Sequence, residues 1–359
     1  MTARRVVAFG GGHGLSASLR ALRHCAPELD LDITAVVTVG DDGGSSGRLR
    51  AERGGLPPGD LRQALVALAG DHPATRRSAG LFQHRFAAVP AGVPPLGAAD
   101  PDPAATDGRD PDRRDQGTNG PGAERTGARA DGLAGHAVGN LVLCGLMELL
   151  GDPVAALEHA GAMLGAVGRV LPMSRQPVGI EARVRGVDPT APDEVRTVRG
   201  QHQVAVTTGR VESLRLTPAA PAACAEAIEA IMAADWLIFG PGSWYTSVLP
   251  HLLVPQLADA IVSTSARRLV TLNLAAEKET LGLSVADHLA ALHWYLAELK
   301  VDLVLADATA VGDPEPVERA AESLGARLVL APVAVLDGTP RHDPAALGAA
   351  LVPVLGADR

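Results

Sequence analysis

Three short stretches hold residue types whose order could do chemistry. They are Gly10-Gly11-Gly12-His13-Gly14, then Asp41-Asp42-Gly43-Gly44-Ser45-Ser46-Gly47-Arg48, and Gly240-Pro241-Gly242-Ser243 followed by Trp244 and Tyr245. Consecutive glycines let several backbone N–H groups turn toward one anion, and a following helix adds the partial positive charge of its N-terminus. Each glycine loop therefore suits a phosphate, or else serves as a tight turn for close strand–helix packing. The first loop only loosely resembles the dinucleotide fingerprint and no hydride-transfer constellation is visible, which disfavours NAD(P). In the second stretch two adjacent carboxylates stand among glycines and serines. An acid after a second strand accepts from ribose hydroxyls, whereas a carboxylate pair beside a phosphate suits Mg²⁺, so Asp41 and Asp42 are candidates for either role. Ser45, Ser46 and Arg48 are donors suited to an anion; an exposed polar turn is the alternative. Gly240, Gly242 and Ser243 could present N–H and O–H groups to a second phosphate or a sugar. Trp244 and Tyr245 either face that ligand or pack.

Other polar islands interrupt apolar surroundings. His136 suits a general base, a phosphate donor or a satisfied, partly buried histidine, the last being the ordinary role. Asn140 could bind ligand or cap a helix, and His13 and Asp60 are equally ambiguous. There is no Walker lysine, nucleophile elbow or zinc-ligand spacing, which removes the commonest NTPase and hydrolase readings.

The elements that must position these residues read as alternating strand and helix. The uninterrupted apolar run at residues 6–9 fits a strand buried on both faces of a parallel sheet. Leu15, Leu19 and Leu22 then lie on one helical face. A second strand is expected at 33–39, and a helix through Leu61, Leu65 and Leu68 opens after Pro57-Pro58. Helices follow at 141–150 and 154–165. Residues 178–184, 203–207 and 211–216 read as short β pieces, a small excursion. Helix 222–233, strand 236–239, a helix through 249–257 and strands at 268–274, 303–306 and 327–331 restore the α/β alternation. The fold class expected is α/β, a Rossmann-like, doubly wound, mostly parallel sheet. One domain, 1–335, is interrupted by a polar, low-complexity insertion at 91–132 and followed by a tail, 336–359. Residues 97–132 contain no Val, Ile, Leu, Met or aromatic residue. Such a composition cannot offset its ordering entropy and predicts disorder.

Composition narrows the function classes. With 359 residues, 47% of them hydrophobic, the chain can bury a large core. Its net charge of −9 supplies no basic field for nucleic acid. The three cysteines, Cys25, Cys144 and Cys224, are scattered, which suits a reducing compartment. The N-terminus does not read as a signal peptide, and the most apolar helical stretch is too short to span a bilayer, so no membrane insertion is expected.

Taken in order, the motifs resemble a known family. Gly10-Gly11-Gly12-His13-Gly14-Leu15, Asp41 to Leu49, Pro57-Pro58-Gly59-Asp60-Leu61-Arg62, Gly135-His136 with Gly139-Asn140-Leu141, and Gly240 to Ser247 with Pro250 look like the YvcK family. These proteins are also called gluconeogenesis factors and are relatives of the CofD phospholactate transferases. The resemblance runs from about residue 5 to about 333 and skips the polar insertion. It implies a CofD-like fold, a cytoplasmic bacterial protein and a UDP-sugar ligand such as UDP-N-acetylglucosamine, with no settled reaction. It also implies a role in cell shape and peptidoglycan synthesis during gluconeogenic growth, exerted through an unidentified cell-wall synthesis partner protein; a homo-oligomer is compatible with it. The ligand set so implied adds Asp60, His136 and Asn140 to the loop residues. The CofD relatives use Mg²⁺ and a nucleotide diphosphate donor to transfer phospholactate to a deazaflavin, which is the alternative activity. One departure is the run Ala275-Ala276-Glu277-Lys278-Glu279-Thr280, where the family has a Thr-Gln-Pro-Gly-Glu-Thr-type loop; only Glu279 and Thr280 match.

Overall fold

A computed structural model describes residues 3–88, 131–280 and 283–357. They fall into two units, Met1–His84 with Ala137–Arg359, and Arg85–His136. In the second unit Phe86 N–H donates to His136 O and Gly135 N–H to Phe86 O. Residues 91–130 of the insertion lie outside the described residues.

In the first unit the chain opens with β1 (Arg4–Gly10), α1 (Gly12–His24) and β2 (Leu31–Val37). Val6, Val7, Ala8 and Phe9 are at most 2% exposed, as expected of a strand covered on both faces. Three helices follow, α2 (Gly44–Arg53), α3 (Pro58–Leu68) and α4 (Pro73–Gln83), and after the second unit come α5 (Val138–Leu150) and α6 (Pro153–Leu164). Pro58, Pro73 and Pro153 each sit in the first helical turn, where a missing N–H costs nothing. β3 (Arg169–Pro172), which the sequence pattern did not reveal, then pairs with β2. The excursion comprises β4 (Gly179–Arg185), β5 (Val195–Arg199), α7 (Gln201–Ala205) and β6 (Arg210–Thr217). The rest is α8 (Ala225–Ala233), β7 (Trp236–Phe239), a π-helical turn (Trp244–Val248), α9 (Leu249–Leu252), α10 (Pro255–Ser263) and β8 (Arg267–Thr271). A short 3₁₀ turn (Lys278–Thr280), α11 (Val285–Tyr295), β9 (Leu303–Asp307), α12 (Glu315–Ser323), β10 (Arg327–Ala331) and α13 (Pro344–Gly356) complete it.

The main sheet has seven strands in the order β10-β9-β8-β7-β1-β2-β3, and every pairing is parallel. From β1 the chain moves one way through β2 and β3, then returns to place β7 on the other side of β1. The point of reversal therefore lies between β1 and β7, the position at which doubly wound folds bind ligands. The first and third glycine loops are the segments that leave those two strands.

The excursion is a separate antiparallel sheet, β5-β4-β6, with alternating burial along β4. Ile180, Ala182, Val184, Leu214 and Leu216 face the core, while Glu181 on the outer face is clamped between Arg199 and Arg215.

Several expectations are corrected. Residues 203–207, read as β, belong largely to α7, because Gly200 O accepts the Val204 N–H and Asp42 accepts the His202 N–H. The single helix expected through 249–257 is broken: Pro255 cannot continue a hydrogen-bonded ladder and instead opens α10. The second glycine stretch is not all loop, since Ser45, Ser46 and Arg48 ride on α2. Residues 336–359, expected as a tail, include α13, whose Leu347, Leu351 and Leu355 are buried. Its Gly348 backbone lies against Ala21 and His24 of α1.

Candidate functional site

The two loops at the switch point touch. A Cβ on Gly14 would stand 2.3 Å from Pro241 O and 2.5 Å from Gly242 Cα, so only glycine permits this approach. Gly11 is equally constrained: its Cβ would fall 2.4 Å from Thr38 Oγ1 and 2.5 Å from Asp60 Oδ2. The first loop is thus pressed against the third loop on one side and against the end of β2 and the start of α3 on the other.

Asp60 is the centre of this junction. Thr38 Oγ1 donates to its Oδ2 at 3.2 Å. Asp60 is 6% exposed, and burial first, then the neighbouring Asp41 carboxylate, push its pKa up to about 7. The start of α1, read from sequence as a phosphate cradle, packs against the protein's own carboxyl group, since Asp60 Oδ2 lies 2.5 Å from where a Gly11 Cβ would stand.

The third loop repeats the arrangement. Glu279 is buried, and its Oε1 accepts Ser243 Oγ–H at 2.7 Å and the Tyr245 N–H at 2.9 Å. Burial raises its pKa to about 7, against the lowering effect of those two donors. Its Oε2 has no partner. Asn273 holds Gly242 from both sides, accepting its N–H and donating to its O, each at 2.9 Å.

The second stretch differs. Helix α2 begins at the Gly43 N-cap with no side-chain cap and no acidic residue in its first turn. Asp41 Oδ1 accepts the Gly43 N–H, and its Oδ2 lies 2.7 Å from where a Gly59 Cβ would stand, beside the start of α3. Asp42 turns the other way, toward α7, where its Oδ1 accepts the His202 N–H at 2.8 Å. The pair read as one ion- or ribose-binding unit is thereby divided between two helices. Among the described residues no group of three or more His, Cys, Asp and Glu could hold a metal ion. Ser45 and Ser46 are buried, Ser45 Oγ accepting from Asn140 Nδ2 at 3.0 Å, and Arg48 is exposed.

The structure brings most of the predicted residues to one edge of the sheet: Gly10 to Gly14, Asp41, Asp42, Ser45, Ser46, Asp60, Asn140, Gly240, Gly242 and Ser243. His13 is exposed in the first turn of α1. Tyr245 is buried at 6% exposure and contributes its backbone N–H to Glu279, while the Trp244 ring lies 5.4 Å from His288. His136 belongs to the second unit. Four residues escaped the sequence reading as site residues: Thr38, Gln201, Asn273 and Glu279. Glu279 was visible only as a motif match. The other three are isolated polar residues at element ends, with no periodicity to mark them.

Fold and site together define a doubly wound α/β protein with glycine-rich loops and buried carboxyl groups at the carboxyl edge of its sheet. A family model described as 2-phospho-L-lactate transferase CofD matches residues 6–329. A relative from Mycobacterium tuberculosis is 45% identical over 357 residues, covering 98% of this chain and 91% of its own. The gluconeogenesis factor of Bacillus subtilis is 33% identical over 326 residues, 90% of this chain and 84% of its own. A crystal structure of a UPF0052 family member from Bacillus halodurans superposes with a TM-score of 0.74 at 31% identity, covering 98% of this chain and 99% of that one. The chain belongs to the CofD family, within its UPF0052 (YvcK) group of gluconeogenesis factors.

Proposed function

We propose that this protein binds a UDP-sugar, UDP-N-acetylglucosamine in the first instance, and that the bound state regulates cell-wall synthesis and cell shape during gluconeogenic growth. The observation that supports this most is the start of α2. It combines the polarity of a helix N-terminus that has no acidic residue in its first turn with Ser45, Ser46 and Arg48, on the segment that leaves β2. The carboxyl-rich side around Asp60 and Asp41 suits hydroxyls rather than phosphate. No helix of the described residues is long and apolar enough to cross a membrane, in keeping with a cytoplasmic role acting through a partner protein. The test is calorimetric titration with UDP-N-acetylglucosamine. Binding is expected, weakened by about tenfold or more in Arg48→Ala, which removes a charge-assisted bond; absence of binding to UDP and to the UDP-sugar rejects the reading.

A second reading, a Mg²⁺-dependent phospholactate transferase, is favoured by one observation. Asp41 and Asp60 are like-charged neighbours beside the candidate phosphate site, an arrangement that a divalent cation relieves. The residues fit such an ion only in part, since phosphate oxygens and water must complete its shell. Turnover of a nucleotide diphosphate donor with a deazaflavin acceptor and Mg²⁺ would replace the first reading with this one.

A further inference from the structure

The excursion sheet carries no motif, yet its helix α7 is tied into the site at two points. Asp42 Oδ1 accepts the His202 N–H at 2.8 Å, and the Gln201 side chain packs beside Gly40, just before Asp41. Gln201 Oε1 reaches to 2.7 Å from where a Gly40 Cβ would stand, so the side chain lies along the backbone that leaves β2. This carbonyl oxygen is buried and has no hydrogen-bond partner. Asn140 repeats the pattern on the other side: it is 1% exposed, its Nδ2 donates to Ser45 Oγ, and its Oδ1 is likewise buried and unpartnered. A buried carbonyl left without a donor is costly, so the unpartnered oxygens of Gln201, beside Gly40, and of Asn140, beside Ser45, suit a ligand that brings donors.

We propose that Gln201, delivered by α7, is a specificity-determining residue whose side-chain carbonyl, together with that of Asn140, accepts hydrogen bonds from the hydroxyl-rich sugar of the bound nucleotide-sugar. This rests on the nucleotide-sugar reading above and assigns the sugar to the Asp60 side of the start of α2. The chemistry of the surroundings selects the group. Asp41, Asp60, Gln201 Oε1 and Asn140 Oδ1 are all acceptors, so a phosphate is repelled there, whereas a hexose supplies several hydroxyl donors. A pyrimidine, with one ring N–H, could satisfy only one of them. Ser45, on the first turn of α2 and bonded to Asn140, links the sugar end to the phosphate end.

The test is calorimetric titration of the full chain with UDP-N-acetylglucosamine, with UDP and with MgCl₂ alone, using wild type, Gln201→Leu and Gln201→Glu. Wild type is expected to bind the UDP-sugar more tightly than UDP. Gln201→Leu should lose about tenfold toward the UDP-sugar while its affinity for UDP is unchanged, and Gln201→Glu, which keeps an oxygen acceptor in place, should retain most of the preference. The ratio of the two affinities reports only on folded molecules, so partial unfolding of Gln201→Leu does not blur it; Gln201→Ala serves if that variant fails to fold. Equal losses toward UDP and UDP-sugar would make Gln201 a mere tether and overturn the proposal, as would an unchanged ratio. Binding of MgCl₂ alone to wild type, abolished in Gln201→Leu, would reassign these oxygens to a cation. If wild type binds neither nucleotide, the nucleotide-sugar reading falls and this inference with it; failure of the ratio alone leaves that reading standing.

Discussion

Asp42 Oδ1 accepts the backbone N–H of His202 at 2.8 Å, across 160 positions of sequence. The contact turns one member of an acidic pair into the helix cap of α7 and joins the excursion sheet to the second glycine stretch. Asp42→Ala is expected to cost about 0.5–2 kcal/mol of stability, the usual loss for a helix cap. Because α7 also presents Gln201, the same variant should weaken UDP-sugar binding more than UDP binding. Urea unfolding and calorimetry on one preparation check both.

The close approach of Gly14 to Pro241 predicts a sharp contrast between two glycine substitutions. Gly14→Ala would put a methyl group 2.3 Å from a backbone oxygen and should destabilise by about 1–3 kcal/mol through overpacking. Gly80→Ala, in α4 with nothing within 4 Å of the new methyl, should stabilise by about 0.5–1 kcal/mol because glycine is a poor helix former. Thermal unfolding of the two variants, compared with wild type, decides.

Two buried carboxyl groups set a pH dependence. Asp60 and Glu279 are each raised to about 7 in the folded state, from ordinary values of 3.8 and 4.5. Raised carboxyl groups favour the protonated native form, so their contribution is fully present below about pH 4 and is lost as pH rises through about 7. Carboxylates with lowered values, such as Asp307 and Asp337, act in the opposite sense and at lower pH. Urea midpoints should therefore fall between about pH 4.5 and 7 and level off above. The slope should shrink in Asp60→Asn and in Glu279→Gln; an unchanged slope in both would show that neither group titrates in this window.

Helix α13 packs buried leucines toward α1 and should be integral to the fold. Leu351, 1% exposed, is expected to cost about 2–5 kcal/mol when changed to Ala. A loss below about 0.5 kcal/mol in chemical denaturation would mean that this helix is dispensable.

Much of the fold was legible in local pattern. The apolar run at residues 6–9, the leucine spacing in α1 and the proline starts of α3 and α6 carry their structure within a few residues, because burial on both faces or on one helical face dictates them. β3 and β5 were missed because each is short, and β5 mixes Val with Arg and Thr along an edge. α7 was misread because Val204, Val206 and Thr207 are β-forming types, whereas the helix starts earlier, where Asp42 accepts the His202 N–H from a distant loop. α13 was read as a tail because the partner that buries it, α1, lies at the other end of the chain.

The candidate site divides in the same way. Residue types and their order along the chain were enough to establish the family, the glycine loops and the anion-seeking residues Ser45, Ser46 and Arg48, since these depend on backbone freedom and side-chain chemistry that neighbours in sequence already define. Tertiary structure decided what these groups touch. It places Asp60 beside Gly11, Asp42 at α7 and Glu279 at the third loop, so that all three meet partners within the protein. It also brings Gln201 against Gly40, at the exit of β2. Hydrogen bonds that span 160 residues, and the burial that raises a carboxyl pKa, arise only when distant segments exclude water together.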